Sequence, residues 1–210
     1  MTARQPRTGR PTARESARLT AHIIEAGWRV VLAVGPEQFS IDRLAAEAHV
    51  SKQTIYARFS GKLELLRAVQ AASIDTVVAQ MRWLGEGSDI QAVFADLAHR
   101  VAVAFTEPEV RMIDRLIDWI EDAADTDGPP FANRIAIRGH MHRAISERLE
   151  AATARWPIAI DDVPFAATFW IDVLYGHTRS FPDERDQREA WARRFTEHFL
   201  RAVCRLREKD

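Results

Sequence analysis

Apolar residues recur at helical spacing along most of the chain, and proline or glycine interrupts them at intervals of roughly 15 to 30 residues. There is no sustained alternation of apolar and polar residues with period two, so the pattern predicts an all-α protein. The first helix is expected to stop at Gly35-Pro36, where glycine suits a left-handed cap and proline cannot continue the helix. We expect nine helices, at about 12–34, 40–48, 51–59, 62–84, 89–105, 107–124, 130–155, 162–180 and 184–208.

The second and third predicted helices are short, and only a tight turn at His49-Val50 separates them. Ser40 and Ser51 precede them as predicted N-caps. Two short helices after a longer supporting helix form a helix-turn-helix when their inward positions are apolar, although an ordinary helical hairpin fits the same pattern. The inward positions are Leu44, Ala45, Ala48, Val50, Ile55 and Phe59.

The outward face of the third helix carries side chains that suit DNA. A helix in the major groove reads bases with its N-terminal residues, and Lys52 suits guanine acceptors while Gln53 can pair bidentately with adenine. Hydroxyl groups and helix starts provide further phosphate contacts. A single charged residue of this kind is more often a solvated surface residue, but the constellation favours DNA binding. The predicted DNA-binding residues are Ser40, Arg43, Ser51, Lys52, Gln53, Thr54, Tyr56 and Lys62.

The net charge of −1 conceals an asymmetry between the two parts of the chain. Residues 1–67 hold 11 Lys and Arg against 6 Asp and Glu, whereas residues 68–210 hold 18 against 24. A basic head on an acidic body indicates an anionic partner for the head alone. A basic N-terminal arm precedes the first acidic residue, Glu15, and consists of Arg4, Arg7, Arg10 and Arg14.

The composition narrows the class of protein. At 210 residues, 47% hydrophobic and 28% charged, the chain has the composition of a globular protein. A single cysteine, Cys204, excludes an internal disulfide framework and a cysteine-based zinc cluster. With no apolar run of membrane-spanning length and no signal peptide, we expect a cytoplasmic protein. A nucleophile elbow, a phosphate-binding loop and a paired metal motif are all missing, so we expect neither an enzyme nor a cofactor.

The stretch from Phe39 to Leu66 resembles the DNA-binding signature of the tetracycline-repressor (TetR) family, and the similarity extends over residues 14–66. The family pattern falls on Ala45, Val50-Ser51, Ile55-Tyr56, Phe59 and Lys62. The resemblance implies phosphate contacts for Tyr56 and Lys62 and base contacts for the first turn of the third helix. Two residues depart from the family pattern. His49 replaces the usual glycine of the turn and must accept an unusual backbone conformation, and Gln53 replaces a small residue.

The resemblance also implies a DNA-binding domain at residues 1–66 and a ligand-binding and dimerisation domain at residues 67–210. Residues 161–167 resemble the family's opening of the eighth helix, and the last two helices are expected to pair with their copies in a homodimer. Residues 163–180 are apolar nearly all round, as that role requires.

Large side chains in the body are candidates for a pocket that takes an apolar or aromatic effector, although ordinary core packing explains each one separately. The candidates are Trp83, Phe94, Phe105, Met112, Trp119, Phe131, Met141, Phe169 and Tyr175.

Several ionisable residues of the body have alternative interpretations. Asp114 belongs to an acidic flank at residues 114–125 that is most simply a solvated surface. Asp172 lies within the apolar eighth helix and needs a partner, which could be a structural ion pair, an arginine across the dimer or a polar group of a ligand. His140 and His142 are two residues apart and face different sides of a helix, so a shared metal is not expected.

The expected function is that of a TetR-type regulator, in which a small-molecule effector releases a homodimeric repressor from a palindromic double-stranded DNA operator. An activator would fit the same residues. A ligand- or DNA-binding protein without regulated release is the alternative, and steeply salt-dependent binding with no sequence preference would favour it.

Overall fold

The structure is a computed structural model, and it describes residues 12–81, 85, 87–123, 132–180 and 185–206. The all-α prediction is confirmed, with nine helices and two short strands in these ranges. None of the helices described is long and apolar enough to cross a membrane. The elements are α1 (Ala13–Gln38), α2 (Ile41–Glu47), α3 (Lys52–Tyr56), α4 (Lys62–Met81), α5 (Ile90–Thr106), α6 (Pro108–Ala123), α7 (Ala132–Arg155), β1 (Ile158–Ile160), α8 (Val163–Ser180), α9 (Arg185–Val203) and β2 (Cys204–Leu206).

The chain divides into two compact units between Gln70 and Ala71. The sequence places the domain boundary four residues earlier, after residue 66. α4 begins in the first unit and ends in the second, since its bounds lie on either side of the division. A single helix therefore contributes to both units.

The first unit is built on α1, which begins with a capping box. The Thr12 side chain accepts a hydrogen bond from the Glu15 backbone amide, and the Glu15 carboxylate accepts one from the Thr12 amide. Gly35 has φ 76°, a left-handed conformation that favours glycine. The predicted interruption at Gly35-Pro36 is confirmed, because the backbone of Gly35 is not helical. A short second helical segment follows the glycine and continues to Gln38.

Gly27 is buried in the middle of α1, where a Cβ atom would lie 2.8 Å from Cγ2 of Val69, itself fully buried. We expect Gly27→Ala to lower the free energy of unfolding of the first unit, because overpacking costs about 1–3 kcal/mol and alanine regains only about 0.5–1 kcal/mol of helix propensity. Gly61→Ala is the matched control, since nothing lies within 4 Å of a Cβ there. Urea unfolding followed by circular dichroism measures both, and equal stabilities would contradict the close contact at Gly27.

The second unit packs α5, α7, α8 and α9 around one hydrophobic core. Its largest fully buried side chains are Trp170 of α8, Phe94 of α5 and Phe199 of α9. α5 packs most extensively against α9, and α7 against α8. Many of the apolar residues that recur at helical spacing after residue 67 lie in this core.

A two-stranded antiparallel sheet corrects the predicted end of the chain. α9 ends at Val203, and the next three residues form β2, which pairs with β1 so that Ile158 lies opposite Leu206 and Ile160 opposite Cys204. Pro157 stops α7, and the side chain of Ile158 enters the core. A three-residue strand leaves no readable period in the sequence, so the pattern of apolar residues predicted a helix to residue 208 instead. Residues 207 and 208 lie outside the described residues.

Some further predictions also fall outside the described residues. They concern three residues of the N-terminal basic arm, the predicted end of the fourth helix at residue 84, the start of the seventh at residue 130, and the breaks at 128–130 and 181–182.

Candidate DNA-binding site and effector cavity

Local hydrogen bonds fix the ends of α2 and α3. The Ser40 hydroxyl accepts a hydrogen bond from the Arg43 amide at 3.3 Å, and the Ser51 hydroxyl accepts one from the Thr54 amide at 3.1 Å. Both predicted N-caps are confirmed. At the turn, His49 has φ 51°, so the prediction that this position requires an unusual backbone conformation is also confirmed.

The predicted inward positions hold the two helices together, although not all of them are fully enclosed. Leu44 and Ile55 are completely buried, and Ala48 and Phe59 are nearly so. Ala45 and Val50 are only half-buried. Because α3 contains only five residues, it depends on these contacts and on its cap for its conformation.

The outward face of α3 presents the predicted side chains to solvent. Lys52, Gln53 and Tyr56 are exposed, Tyr56 to 54%, and Thr54 is half-buried. The Thr54 hydroxyl lies 2.9 Å from the Ser51 hydroxyl, so it already takes part in the cap. Arg58, just after α3, is half-buried, and its guanidinium donates to the Thr54 carbonyl at 2.9 Å.

Two lysines predicted to contact DNA have partners within the protein. The Lys52 ammonium forms an exposed ion pair with Asp42, which raises the pKa of Lys52. The Lys62 ammonium donates to the Pro36 carbonyl at 2.9 Å and lies 5.9 Å from the ring centroid of Phe39, and burial lowers its pKa. An ammonium has three donors, so the ion pair with Asp42 leaves donors of Lys52 for a base or a phosphate. Ser40 and Arg43 lie at the start of α2, half-buried and exposed respectively.

The second unit contains a cavity of about 100 Å³ between α4, α5, α6, α7 and α8. Three of the nine predicted effector residues line it, namely Phe105, Met141 and Tyr175. Most of the other lining residues are aliphatic. The complete lining is Ile74, Val77, Val78, Phe105, Val110, Ile113, Asp114, Ile117, Arg134, Ile137, Arg138, Met141, Ile171, Asp172 and Tyr175.

Four of the remaining effector candidates do not line this cavity. Phe94 is fully buried in the core, and Phe169 is in a run of rings with Phe165 and Phe199, at centroid distances of 6.4 and 5.9 Å. Met112 and Trp119 are half-buried on α6 but do not line the cavity. Trp83 and Phe131 lie outside the described residues.

Asp114 is not part of a solvated acidic surface, which corrects its interpretation from sequence. Its side chain is 15% exposed. It accepts hydrogen bonds from the Tyr175 hydroxyl at 3.1 Å and from the Arg179 guanidinium at 2.7 Å. Burial raises the pKa of Asp114, and Arg179 opposes that rise. A signal for this position was available, because Asp114 lies on the same helical stripe as Val110, Ile113 and Ile117.

Asp172 has the charged partner that its position in an apolar helix requires. Arg138 of the same chain forms an ion pair with it, and the His142 Nε2 atom lies 3.8 Å from its other oxygen. Burial lowers the pKa of His142. The arginine therefore comes from α7 of the same subunit.

The family described as "Bacterial regulatory proteins, tetR family" has a sequence model that matches residues 23–69, the segment that contains α2 and α3. Over this segment the chain matches the family, so its helix-turn-helix unit is of the tetR type. It is 38% identical over 63 residues to the HTH-type transcriptional regulator SrpR of Pseudomonas putida, a match that spans 30% of each chain. It is 43% identical over 49 residues to the DNA-binding transcriptional repressor TetR of Mycobacteroides abscessus, which spans 23% of this chain and 26% of that one. These matches cover less than a third of either relative.

The likeness of fold to solved structures extends over most of the chain. A TetR-family transcriptional regulator from Mesorhizobium loti superposes with a TM-score of 0.67, covering 91% of this chain and 98% of the other at 22% identity. At that identity the comparison concerns the fold alone. The second unit therefore shares its fold with the corresponding part of that protein.

Proposed function

We propose that this tetR-family protein is a transcriptional repressor that binds a palindromic DNA operator as a homodimer and releases it when a small molecule enters the cavity of the second unit. The observation that carries the DNA-binding part is the geometry of α3, whose capped first turn presents Lys52 and Gln53 to solvent beside the exposed Tyr56. Polar side chains at the N-terminal end of a short, anchored helix are those that reach base edges in the major groove.

The Lys52–Asp42 pair bears on how α3 meets DNA. In the free protein the Asp42 carboxylate neutralises the lysine. A guanine edge or a phosphate must replace that carboxylate, and an exposed ion pair contributes only about 0–1 kcal/mol, so the exchange costs little. The acidic partner opposes indiscriminate attraction to the DNA backbone and thus supports selective binding.

Control by an effector is supported by the position of α4. Ile74, Val77 and Val78 of this helix line the cavity, and the same helix begins at Lys62 in the first unit. A ligand that displaces the C-terminal half of a continuous helix also displaces its N-terminal half. Release then requires that the ligand bind more tightly to the conformation with low DNA affinity.

The homodimer is supported by the apolar surface of α8. Phe165 is 63% exposed and stacks on Phe169, which is half-buried and contacts Phe199 of α9. A run of rings that reaches solvent on the last two helices is suited to a second copy of the chain. Two-fold symmetry would then match a palindromic operator.

A gel shift on DNA from the protein's own promoter region tests the function. We expect the wild type to form a discrete complex at physiological salt with competitor DNA. The double variant Gln53→Ala, Tyr56→Ala should lose at least about tenfold in affinity, because a bidentate base contact alone corresponds to about 1–3 kcal/mol. Gln91→Ala, an exposed glutamine at the start of α5, is the matched control and should bind like the wild type.

Equal binding by the wild type and the double variant would contradict the assignment of α3 as the reading helix. Binding without sequence preference, lost steeply with salt, would favour a DNA-binding protein without an operator. Discrete binding that no ligand reverses would support recognition of an operator and contradict control by an effector.

A further inference from the structure

Every charged side chain that lines the cavity has a partner of opposite charge. Asp114 pairs with Arg179, Arg134 with Asp118, and Arg138 with Asp172. A charged ligand would either separate one of these pairs or add an uncompensated charge to a balanced, partly desolvated set, and both are costly. An uncharged ligand leaves all of them intact. The charges of the lining therefore select against anions and cations alike.

The most enclosed charged group of the lining is a hydrogen-bond acceptor. The Asp114 side chain is 15% exposed, against 36% for Asp172 and 49% for Arg138. A carboxylate has about four lone-pair sites, and the bonds from Tyr175 and Arg179 occupy two of them. The Tyr175 hydroxyl uses its only proton in this bond. The part of the cavity beside Asp114 therefore offers acceptors to a ligand and requires a donor from it.

The remaining lining fits an apolar ring of small size. Phe105 meets Tyr175 edge to face, with centroids 5.5 Å apart, and aliphatic side chains such as Ile113 and Ile117 complete the wall. An apolar cavity of roughly 150 Å³ binds benzene. A cavity of about 100 Å³ therefore accepts a single ring after a small outward movement of its lining. A larger ring system would require more extensive movement.

We propose that this cavity selects an uncharged single-ring compound with a hydroxyl group, of the phenol class, and that the hydroxyl donates a hydrogen bond to the Asp114 carboxylate beside Tyr175. The inference rests on the proposed function only in that it treats the cavity as the effector site. The ring lies against Phe105 and the aliphatic wall, and Arg134 and Arg138, whose side chains are 37% and 49% exposed, stay in their ion pairs. No ion pair is broken on binding.

Isothermal titration calorimetry on the full chain, without DNA, tests the proposal with four probes. Phenol is compared with anisole, which lacks the donor, and with benzoate and benzylamine, which carry opposite charges. We expect phenol to bind at least about tenfold more tightly than anisole, since a hydrogen bond to a charged acceptor is among the stronger ones. Benzoate and benzylamine should both bind more weakly than phenol. Tighter binding of any other probe, or no heat from phenol at millimolar concentration, would overturn the proposal.

Substitution of the acceptor links the preference to one residue. Asp114→Leu should abolish the preference for phenol or reverse it, because the Tyr175 hydroxyl is then free to donate to the anisole oxygen. Asp122→Leu, the same change at an exposed position of α6, should leave the preference intact. If Asp114→Leu does not fold, Tyr175→Phe decides. This variant frees the Asp114 carboxylate from the Tyr175 hydroxyl, so it should keep or increase the preference for phenol over anisole. A loss of that preference would exclude Asp114 as the acceptor.

This readout separates the inference from the proposed function. Phenol binding that leaves the operator complex unchanged in a gel shift would uphold the ligand class and reject effector-controlled release. If the protein forms an operator complex but binds phenol and anisole equally, the proposed regulatory function stands and the proposed ligand class is wrong.

Discussion

Replacement of Phe94 by alanine is expected to lower the free energy of unfolding of the second unit by about 3–5 kcal/mol. Phe94 is completely buried in the core formed by α5, α7, α8 and α9. The substitution removes its transfer free energy and leaves a cavity that the surrounding side chains fill only in part. Urea unfolding of the full chain, followed by far-ultraviolet circular dichroism, measures the loss. Two units can unfold in separate steps, and only the step of the second unit should move.

Ile135→Ala is the control for that experiment. Ile135 lies on α7 in the same unit but is 64% exposed, so its truncation should change stability by no more than about 0.5 kcal/mol. A comparably small loss at Phe94 would mean that the ring contacts a void instead of a packed core. In that case Phe94 would again be a candidate for contact with an effector. Its burial in the packed core argues against that role.

The helix-turn-helix was predictable because its determinants are local. Ser40 and Ser51 cap helices that begin one residue later, and each cap contacts an amide three residues along the chain. The unusual turn at His49 follows from the same short segment. Physical causes that act within four or five residues leave a readable trace in the sequence.

The cavity was not predictable in the same way, because it depends on how distant helices pack. Phe94 and Phe105 are eleven residues apart and lie on the same face of α5, about 16 Å from each other along its axis. Phe94 meets the centre of the core, whereas Phe105 reaches the cavity and Tyr175. Residue type and helical face are identical for the two rings. Only the arrangement of the other helices distinguishes them.

The two-stranded sheet and the role of Asp114 were missed for related reasons. β1 becomes a strand only because β2, more than forty residues later, supplies its hydrogen-bonding partner. Asp114 is followed by other acidic residues on α6, and the local cluster suggested a solvated surface. Its place on the apolar stripe was the better guide, since a carboxylate among Val110, Ile113 and Ile117 needs buried partners.

Ile55 and Tyr56 are neighbours in α3 that should separate folding from DNA binding. Ile55 is fully buried and anchors a helix that is too short to be stable alone, so Ile55→Ala is expected to lower the free energy of unfolding of the first unit by about 2–5 kcal/mol. Tyr56 is 54% exposed, and Tyr56→Ala should change stability by no more than about 0.5 kcal/mol. Urea unfolding and amide hydrogen exchange in α3 measure the stability of both variants, and a gel shift on the same promoter DNA measures their affinity.

The pattern across the two variants decides how α3 acts. Ile55→Ala should lose protection against exchange in α3 together with DNA affinity, because Lys52 and Gln53 can be presented to the major groove only while the helix is held in place. Tyr56→Ala should keep its protection and still lose affinity, because it removes an exposed side chain that we propose contacts the phosphate backbone. Full DNA affinity in Tyr56→Ala would exclude a DNA contact at that position. Full affinity in an Ile55→Ala variant with an unprotected α3 would mean that α3 folds against DNA, so that its order in the free protein is not required for reading an operator.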